Sequence, residues 1–469
     1  MGFESQGAGG GRLLLVRCCP APGEIVTGLR LVILRTQMAT PKTDTGPNTR
    51  RKIAFRLLPF LFLLYIANYV DRTNIAYATL GMKGHLGLTD SVFGTASGIF
   101  FIGYFALQIP GTLLVERWSA KRLLALTLII WGALTGLTAF VRTPVQLYGA
   151  RFLLGAAEAG FFPGVIVYLS HWFIEPDRGK AGARFMAAIP IAYVLGGPLA
   201  GAILAVNWFD TPGWRWLFLL EGIPAILLGI ATLFVLPDRP AEAAWLTRDE
   251  RDWLNASLTE ERAGKRQIEH LSVWEAFRHP AILVLTAALF FTYTGGYAFW
   301  FWEPTILQRL TGWSVSRVSW SGVLIFGPSL VAMLLLGWSS DRTGERRWHF
   351  AGPQLLAALA LGAWFFFPHS NGLLVFLFAL IAAGTVAYLP VFWTLPSNFL
   401  THSAAAAAIG FISCIASVGG FFGPKLFGEL SQRTGSFNTG FVFMITCWVI
   451  ASVLILLCPQ QQARENSPG

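Results

Sequence analysis

Residues 54–79 of the chain read AFRLLPFLFLLYIANYVDRTNIAYAT, an apolar run with few charges. Such a run can cross a membrane as a helix, because about 20 apolar residues span roughly 30 Å of hydrocarbon. Membrane β-strands are excluded because the run is far too long for a strand of a membrane barrel. A helix pairs its own backbone groups, as the hydrocarbon of the membrane requires. Eleven further runs follow: 92–115, 122–141, 145–173, 182–206, 215–236, 281–308, 317–339, 350–367, 372–396, 404–428 and 437–458. The pattern predicts an all-α membrane protein with twelve transmembrane helices.

The composition of the whole chain agrees with this interpretation. Of its 469 residues, 54% are hydrophobic and only 13% are charged, whereas an ordinary soluble domain carries about 25% charged residues. This balance excludes a soluble enzyme, a disordered chain and a fibrous protein. The net charge of +10 would favour nucleic acid as the partner of a soluble protein, but most Lys and Arg residues lie in short loops between apolar runs. We therefore expect a lipid bilayer around the chain and no nucleic-acid partner.

The basic residues of the loops predict the orientation of the helices in the membrane. Cytoplasmic loops carry an excess of Lys and Arg. One side of the predicted bundle carries clusters such as 50–52, 178–184 and 342–347, whereas the basic residues of the other side stand mostly singly, as Lys83 and Arg142 do. Both termini are therefore predicted to be cytoplasmic, which is consistent with an even number of helices.

A polar stretch divides the predicted helices into two sets of six. Residues 237–280 form the longest polar segment inside the chain and are predicted to be a cytoplasmic central loop. Within it, 247–250 read Thr-Arg-Asp-Glu, a capping box that predicts the start of a short solvated helix. The loop separates an N-terminal six-helix bundle, 51–236, from a C-terminal six-helix bundle, 281–458.

The two ends of the chain are predicted to lie outside the bundles. Residues 1–50 show no sustained pattern and are interpreted as an N-terminal cytoplasmic extension, whose apolar pieces are too short for a span or a signal sequence. Met38 is an alternative start of translation, so the sequence leaves open whether residues 1–37 belong to the native protein. Residues 459–469 are predicted to be a cytoplasmic tail.

The two predicted bundles repeat a loop motif at equivalent positions. An acid followed by Arg occurs after the second helix and again after the eighth, each ahead of a basic pair. Such internal duplication is typical of transporters that rock two bundles about a central site. We interpret the motif as a gate held by ion pairs, although ordinary cytoplasmic charge would also explain its basic residues. The predicted gating residues are Glu116, Arg117, Asp341, Arg342, Gly344 and Arg346.

Two of the predicted transmembrane helices hold a pair of charged residues each, Asp71 and Arg72 in the first and Arg151 and Glu158 in the fourth. A charge at mid-membrane costs about 2.5–3.5 kcal/mol, so these side chains are expected to face one another or a watery cavity. Counted from the ends of their helices, Asp71 and Arg151 lie at similar depths. Glu158 lies two turns further along, on nearly the same helix face as Arg151.

We interpret this cluster as a site in which guanidiniums bind an anion and carboxylates bind protons. Arg stays protonated and offers a planar fork to a carboxylate. Two alternatives remain: a purely structural charge network, and a pairing of the two charges of the first helix that leaves those of the fourth alone functional. The residues predicted from the cluster and its helix face are Arg72, Arg151, Tyr65 and Asn68 for the substrate, and Asp71 and Glu158 for protons.

A further acid, Glu303, lies nearer the outer end of the seventh predicted helix and precedes Pro304. It is either a third protonatable site or merely an acid at the outer end of a helix. The sequence contains no phosphate-binding loop of the Gly-x4-Gly-Lys-Ser/Thr type, no His-Glu-x-x-His and no Cys cluster for metal or haem. We therefore expect no metal, no cofactor and no enzymatic activity, and energy must come from a gradient.

Residues 51–458 resemble the major facilitator superfamily, and 337–347 are a specific match to its loop motif. Within the superfamily they resemble the anion:cation symporter family, which includes permeases for sugar acids, tartrate and phthalates and a lysosomal sialic acid exporter. The resemblance implies proton-coupled symport of an organic anion, with the charged residues of the first and fourth helices binding protons and the substrate carboxylate. The matching segments are 71–75, 151–160, 245–250, 302–304 and 392–396.

The sequence departs from the pattern of that family at several positions. The first loop motif has Thr112 and Ser119 where glycines are usual, and Glu303 replaces a usually apolar residue. Ahead of the Gly-Gly-Phe of the eleventh helix, where the family often has Asn, this chain has Ser417 followed by Val. The resemblance adds Trp393 and Ser417 to the predicted substrate contacts. The 18 Trp and 38 Phe residues suit an aromatic or less hydroxylated acid.

Together these observations predict a multi-pass transporter of the bacterial inner (plasma) membrane that takes up a small carboxylate with protons by alternating access. It is expected to function as a monomer. Alternatives are a proton-driven exporter or an anion exchanger of the same superfamily and, more remotely, a membrane sensor that does not transport.

Overall fold

The described residues of the computed structural model are 45–266, 278–367, 370–396 and 402–458. Within these ranges the chain is helical, as predicted, apart from short connections and two 3₁₀ turns, Trp208–Asp210 and Pro240–Glu242. The predictions for residues 1–37, for Met38 and for the tail 459–469 lie outside the described residues.

The described helices fall before, within and after the central polar segment. Before it lie α1 (Thr45–Leu86), α2 (Asp90–Arg117), α3 (Ala120–Thr138), α4 (Pro144–Glu158), α5 (Phe161–Trp172), α6 (Glu175–Met186), α7 (Ala188–Leu204) and α8 (Gly213–Val235). Within it lies α9 (Arg248–Arg266). After it lie α10 (Pro280–Thr311), α11 (Val315–Thr343), α12 (Arg347–Ala363), α13 (Asn371–Ala387), α14 (Leu389–Phe392), α15 (His402–Ser417), α16 (Gly419–Thr434) and α17 (Asn438–Leu457).

Eleven helical stretches of the described residues are long and apolar enough to cross a membrane. They coincide with eleven of the twelve predicted runs. The remaining run, 350–367, forms α12, which has 17 residues, whereas the shortest of the eleven, α3, has 19. The all-helical membrane architecture is therefore confirmed, and the count of twelve spans stays a prediction.

Some predicted spans are interrupted near their middle. The fourth is divided between α4 and α5 by Ala159 and Gly160, directly after Glu158. The eleventh is divided between α15 and α16 at Val418, next to Ser417. These breaks place a predicted functional residue at the end of a helix segment, where free backbone groups can contribute to a polar site.

Glycines allow several helices to pack with their backbones nearly in contact. A Cβ atom added to Gly155 of α4 would lie 1.9 Å from the backbone oxygen of Phe100 in α2, and one added to Gly103 would lie 2.0 Å from the oxygen of Phe152. A Cβ on Gly132 of α3 would lie 2.7 Å from the backbone of α8. Small residues at such contacts are the usual means by which membrane helices associate. Here they bring α2 close to α4, and α3 close to α8.

Contacts join helices of the N-terminal and C-terminal halves at the end of the molecule where α1 and α10 finish. Asp90, at the start of α2, pairs with Arg309 of α10 and accepts a hydrogen bond of 2.9 Å from Ser431 of α16. A Cβ atom on Gly197 of α7 would lie 2.4 Å from the backbone oxygen of Ser319 in α11. This end of the molecule is therefore held together by both an ion pair and close packing.

The predicted helix of the central segment forms as α9 and contacts the start of α1. Thr247 and Glu250 exchange the reciprocal hydrogen bonds of a capping box, 2.8 and 3.3 Å long. The Glu250 carboxylate also accepts a bond of 2.8 Å from Lys52. Burial alone would raise the pKa of Glu250, but the hydrogen bonds from Lys52 and Thr247 hold it below its ordinary value. The central segment is thus attached to the N-terminal half by a polar contact.

Candidate functional site

The carboxylate of Glu158 is fully buried and binds two residues of α1. Its Oε2 atom lies 2.7 Å from Nη2 and 3.3 Å from Nε of Arg72. The same oxygen accepts a hydrogen bond of 2.8 Å from the side-chain amide of Asn68. Its Oε1 atom has no hydrogen-bond partner. The first and fourth predicted helices are thus joined by an ion pair that uses one oxygen and leaves the other free.

Asp71 points to a different neighbour, although it is adjacent to Arg72 in sequence. Its Oδ2 accepts a hydrogen bond of 2.7 Å from Thr135 of α3, and its Oδ1 accepts one of 2.9 Å from Asn74. Successive residues of a helix point about 100° apart, which separates the two side chains. The alternative in which Asp71 pairs with Arg72 is therefore wrong, because each binds other residues.

Sequence reasoning missed Glu221, a second acid beside this cluster. It lies in α8, is 7% exposed, and interacts with Asn74 and with the charge of Asp71. Its Oε2 atom has no hydrogen-bond partner. The signal was present in the sequence, since Glu221 is an acid inside the predicted run 215–236 and the rule that identified Asp71 applies to it equally.

Arg151 is fully buried, and its three guanidinium nitrogens have no hydrogen-bond partner. Its guanidinium lies 4.9 Å from the ring centroid of Phe100, a cation–π contact. It does not line the cavity described next, whereas Arg72 does. The predicted arrangement in which both guanidiniums face one cavity is therefore wrong: Arg72 faces the cavity, and Arg151 lies behind it within the helix packing.

A cavity of about 50 Å³, open at its mouth, lies between helices of the two halves. Four of the predicted substrate residues line it, whereas Asn68 and Arg151 do not. The lining residues are Tyr65, Tyr69, Arg72, Phe101, Tyr104, Phe161, Phe162, Met186, Ile189, Tyr293, Tyr297, Leu389, Trp393, Ser413 and Ser417.

Aromatic rings surround the guanidinium of Arg72. The ring centroids of Tyr69, Phe100 and Tyr104 lie 5.2, 5.1 and 5.2 Å from its central carbon. Such contacts stabilise a cation by about 0.5–2 kcal/mol each, most where water is excluded. Sequence reasoning did not predict this cage because its rings come from α1 and α2, and only helix packing brings them together.

Glu303 lies within α10, about two turns before its end, and is 1% exposed. Its Oε1 atom has no hydrogen-bond partner, and its charge acts on Tyr77 of α1. It does not line the cavity. The alternative of an acid merely at a helix end is wrong, because Glu303 is buried between helices of the two halves.

The predicted gate of the C-terminal half forms local contacts. Asp341 pairs with Arg346 over 2.8 Å, and Gly344 ends α11 in the left-handed conformation with φ of 70°. Arg342 lies over the ring of Trp338, 5.5 Å from its centroid. The ion pair thus joins residues of one loop. The backbones of Glu116 and Arg117 belong to α2, but their side chains lie outside the part of the structure that is described.

Two further residues of this loop, Arg347 and Glu345, make contacts within the C-terminal half. Arg347 donates to the backbone oxygens of Ile455, Leu456 and Cys458 at the end of α17, where a cation is favoured by the helix dipole. Burial alone would raise the pKa of Glu345, but hydrogen bonds from the backbone of Trp348 and from His349 hold it below its ordinary value. The loop is therefore held by its own hydrogen bonds and by the contact of Arg347 with the end of α17.

Comparison with known proteins shows what the chain is similar to. The family model of the Major Facilitator Superfamily matches residues 61–424 and 285–468. A putative tartrate transporter of Agrobacterium vitis is 39% identical over 92% of this chain and 95% of its own length. A putative metabolite transport protein, NicT of Pseudomonas putida, is 38% identical over 87% of this chain and 92% of its own.

A solved structure has the same fold. The crystal structure of a bacterial homolog of the human lysosomal transporter Spinster, in an inward-facing and occupied conformation, superposes with a TM-score of 0.69 at 19% identity. It covers 86% of this chain and 96% of that one. The protein is a multi-pass membrane transporter and not an enzyme. It belongs to the Major Facilitator Superfamily, as its sequence motifs predicted.

Among the described residues, no cluster of three or more His, Cys, Asp or Glu residues could hold a metal ion. The chemistry of the site is instead that of one guanidinium facing a cavity, carboxylates behind it and hydroxyls beside it. Such groups can bind an anion and exchange protons.

Proposed function

We propose that the protein is a proton-coupled symporter that takes up a small organic anion, a carboxylate, across the inner (plasma) membrane. The observation that carries this proposal is the pairing of Arg72 with Glu158 at the wall of the cavity. The names of the tartrate and metabolite transporters that resemble the chain support an organic anion as substrate.

The pairing couples the anion to a proton through competition for one guanidinium. While Glu158 is ionised, it occupies Nη2 of Arg72 at 2.7 Å and repels an incoming carboxylate. A proton on Glu158 weakens this bond and frees the guanidinium for the substrate. By thermodynamic reciprocity, substrate on Arg72 then favours proton uptake by Glu158 to the same extent.

The other charged residues support the same step from behind the cavity. Arg151 is buried next to the charges of Glu158 and Asp71 and acts on them electrostatically, without touching the substrate. Asn68 positions the Glu158 carboxylate through its 2.8 Å hydrogen bond. Asp71, with Asn74 and Thr135, forms a second proton-binding group, and Glu303 forms a third between the two halves.

We propose that transport proceeds by alternating access of two six-helix bundles, 51–236 and 281–458, with twelve spans and both termini in the cytoplasm. The helix α12 supplies the twelfth span. The loop 337–347 and the Glu116–Arg117 pair act as the cytoplasmic gate, and the protein functions as a monomer. The contact of Asp90 with Arg309 supports a conformation that is closed at the opposite end.

The experiment that tests this function measures proton flux in proteoliposomes loaded with a pH-sensitive dye. A panel of carboxylates is added to the wild type and to Glu158→Gln. We expect substrate-triggered acidification of the lumen in the wild type, and exchange of labelled substrate without acidification in Glu158→Gln, because an amide cannot carry the proton.

The matched control is Glu429→Gln, which removes a carboxylate from the i,i+4 pair with Lys425 on α16, away from the cavity. It should retain wild-type proton flux. Undiminished acidification in Glu158→Gln would place the proton site elsewhere. Labelled-anion exchange without a proton signal in every variant would identify an anion exchanger instead of a symporter.

A further inference from the structure

The cavity presents one charge and many aromatic rings to its contents. Arg72 is the only Lys, Arg, Asp, Glu or His among the described residues that line it. The N-terminal half contributes rings that include Tyr65, Tyr69 and Phe161. The C-terminal half contributes rings that include Tyr293 and Tyr297.

We propose that the transported anion is a flat aromatic monocarboxylate, with its carboxylate on Arg72 and its ring held between the aromatic walls. This inference rests on the proposed function, because it names the substrate class of the same site. It departs from the tartrate in the name of the Agrobacterium vitis relative, which is a hydroxylated dicarboxylate.

The charge of the cavity selects one carboxylate over two. The first carboxylate replaces Glu158 on Arg72, and a second would have no cation to bind. Arg151, the second arginine that was predicted from the sequence to bind the substrate, does not line the cavity. A buried carboxylate without a cation is disfavoured, even where neutral hydroxyl groups donate to it. For a dicarboxylate, the free-energy cost of burying the second carboxylate therefore offsets the binding free energy of the first.

The serine hydroxyls do not replace the missing cation. The Ser417 hydroxyl donates its proton to the backbone oxygen of Ser413 over 2.7 Å, so that it can only accept a further hydrogen bond. The Ser413 hydroxyl accepts from Gln108 over 3.2 Å and retains a single donor. The two serines thus leave one hydroxyl donor, and the five tyrosines of the lining add neutral phenol groups, none of which supplies a positive charge to a second carboxylate.

The walls of the cavity select a ring. Tyr293 and Tyr297 pack edge to face, 5.4 Å apart, and Tyr297 lies 4.3 Å from Phe101 of the other half. A planar ring can join this array by offset or edge-to-face contacts, which stabilise aromatic pairs beyond the area they bury. Because the rings belong to both halves, a bound aromatic ring also bridges them. An aliphatic chain with several hydroxyls offers no face for these contacts.

The test uses four acids that separate the ring from the number of carboxylates: benzoate, phthalate, gluconate and tartrate. Uptake and proton flux are measured for each in proteoliposomes with the wild type. We expect benzoate to be transported with at least tenfold higher kcat/KM than the other three. Transport of tartrate or gluconate with protons, and not of benzoate, would overturn the substrate class and leave the proposed function intact.

Two other outcomes separate the two proposals further. Exchange of benzoate without proton flux supports the substrate class and overturns the proton coupling. Failure to bind or transport any of the four acids, in protein shown to be folded by its thermal transition, overturns both.

Variants locate the selectivity in the cavity. Tyr293→Leu should raise the KM for benzoate about three- to tenfold, whereas Phe366→Leu, at a ring that is 85% exposed and outside the cavity, should leave it unchanged. Ser413→Lys adds a second cation and should shift the preference from benzoate towards phthalate. An unchanged ratio of phthalate to benzoate in this variant would contradict the single-charge argument.

Discussion

At the scale of single residues, the site depends on which hydrogen-bond donor each carboxylate oxygen has. Thr135 is fully buried and donates to Oδ2 of Asp71 over 2.7 Å. A hydrogen bond to a charged group contributes about 1.5–3 kcal/mol, and a buried acceptor left without its donor costs a similar amount. Thr138, one turn further along α3, donates instead to the backbone oxygen of Leu134 over 2.8 Å, an oxygen already bonded within the helix.

The two threonines give a matched pair of variants. Thr135→Val should lower the free energy of unfolding by about 2 kcal/mol, because Asp71 loses a donor that nothing nearby replaces. Thr138→Val should change it by less than about 0.5 kcal/mol. Both are measured by denaturant titration of the purified protein in mixed micelles. Equal losses in the two variants would mean that Thr135 matters only as packing.

At the scale of helices, the backbone contact between α2 and α4 determines where Arg151 and Glu158 lie. Gly155 stands between these two residues on α4, and Gly103 faces the same helix from α2. The contact brings α4 so close to α2 that Arg151 is enclosed and packs on Phe100. The glycines therefore account for the error in the prediction that both arginines share one cavity.

Alanine variants of two glycines in α4 separate the effect of this backbone contact from the general effect of replacing a glycine in a helix. Gly155→Ala should lower the free energy of unfolding by about 3 kcal/mol, since its Cβ would lie 1.9 Å from a backbone oxygen that cannot move alone. Gly149→Ala has nothing within 4 Å of its Cβ and should raise it by about 0.5–1 kcal/mol. The same denaturant titration measures both. Effects of the same sign would contradict the contact.

At the scale of the whole molecule, the cluster around Asp90 holds the two halves together at one end. The carboxylate binds Arg309 through both oxygens and also accepts from Lys83 over 2.8 Å. A bidentate pair of this kind is stronger than a single hydrogen bond, and it also fixes the relative orientation of the two side chains. Alternating access requires this cluster to separate each time the end opens, so its strength affects the balance between the two conformations.

Asp90→Asn should shift that balance towards the conformation open at this end. We expect the rate of maleimide labelling of Ser319→Cys, which is buried at the contact of α7 with α11, to rise about fivefold, equivalent to about 1 kcal/mol. The background replaces the native cysteines by serine. The control Glu429→Gln breaks a pair within the single helix α16 and should leave the rate unchanged. A labelling rate in Asp90→Asn equal to that of the control would show that packing alone closes this end.

Part of the site could be predicted from the sequence. Arg72 and Tyr65, predicted from the charge cluster and its helix face, line the cavity, and so do Trp393 and Ser417, which the family resemblance added. Asp71 and Glu158 were found because a charge inside an apolar run requires a partner wherever it lies. Glu221 satisfies the same rule.

That the chain crosses a membrane as helices could be predicted from the sequence, because hydrophobic length and the need to pair every backbone group in lipid are properties of each segment alone. Which partner each charged side chain binds depends on the folded arrangement of the helices. Arg72 binds Glu158, 86 residues away, Asp71 binds Thr135, and Arg151 is shut behind the cavity. These outcomes depend on the rotation of each helix about its axis and on its distance from the next, which packing between helices sets.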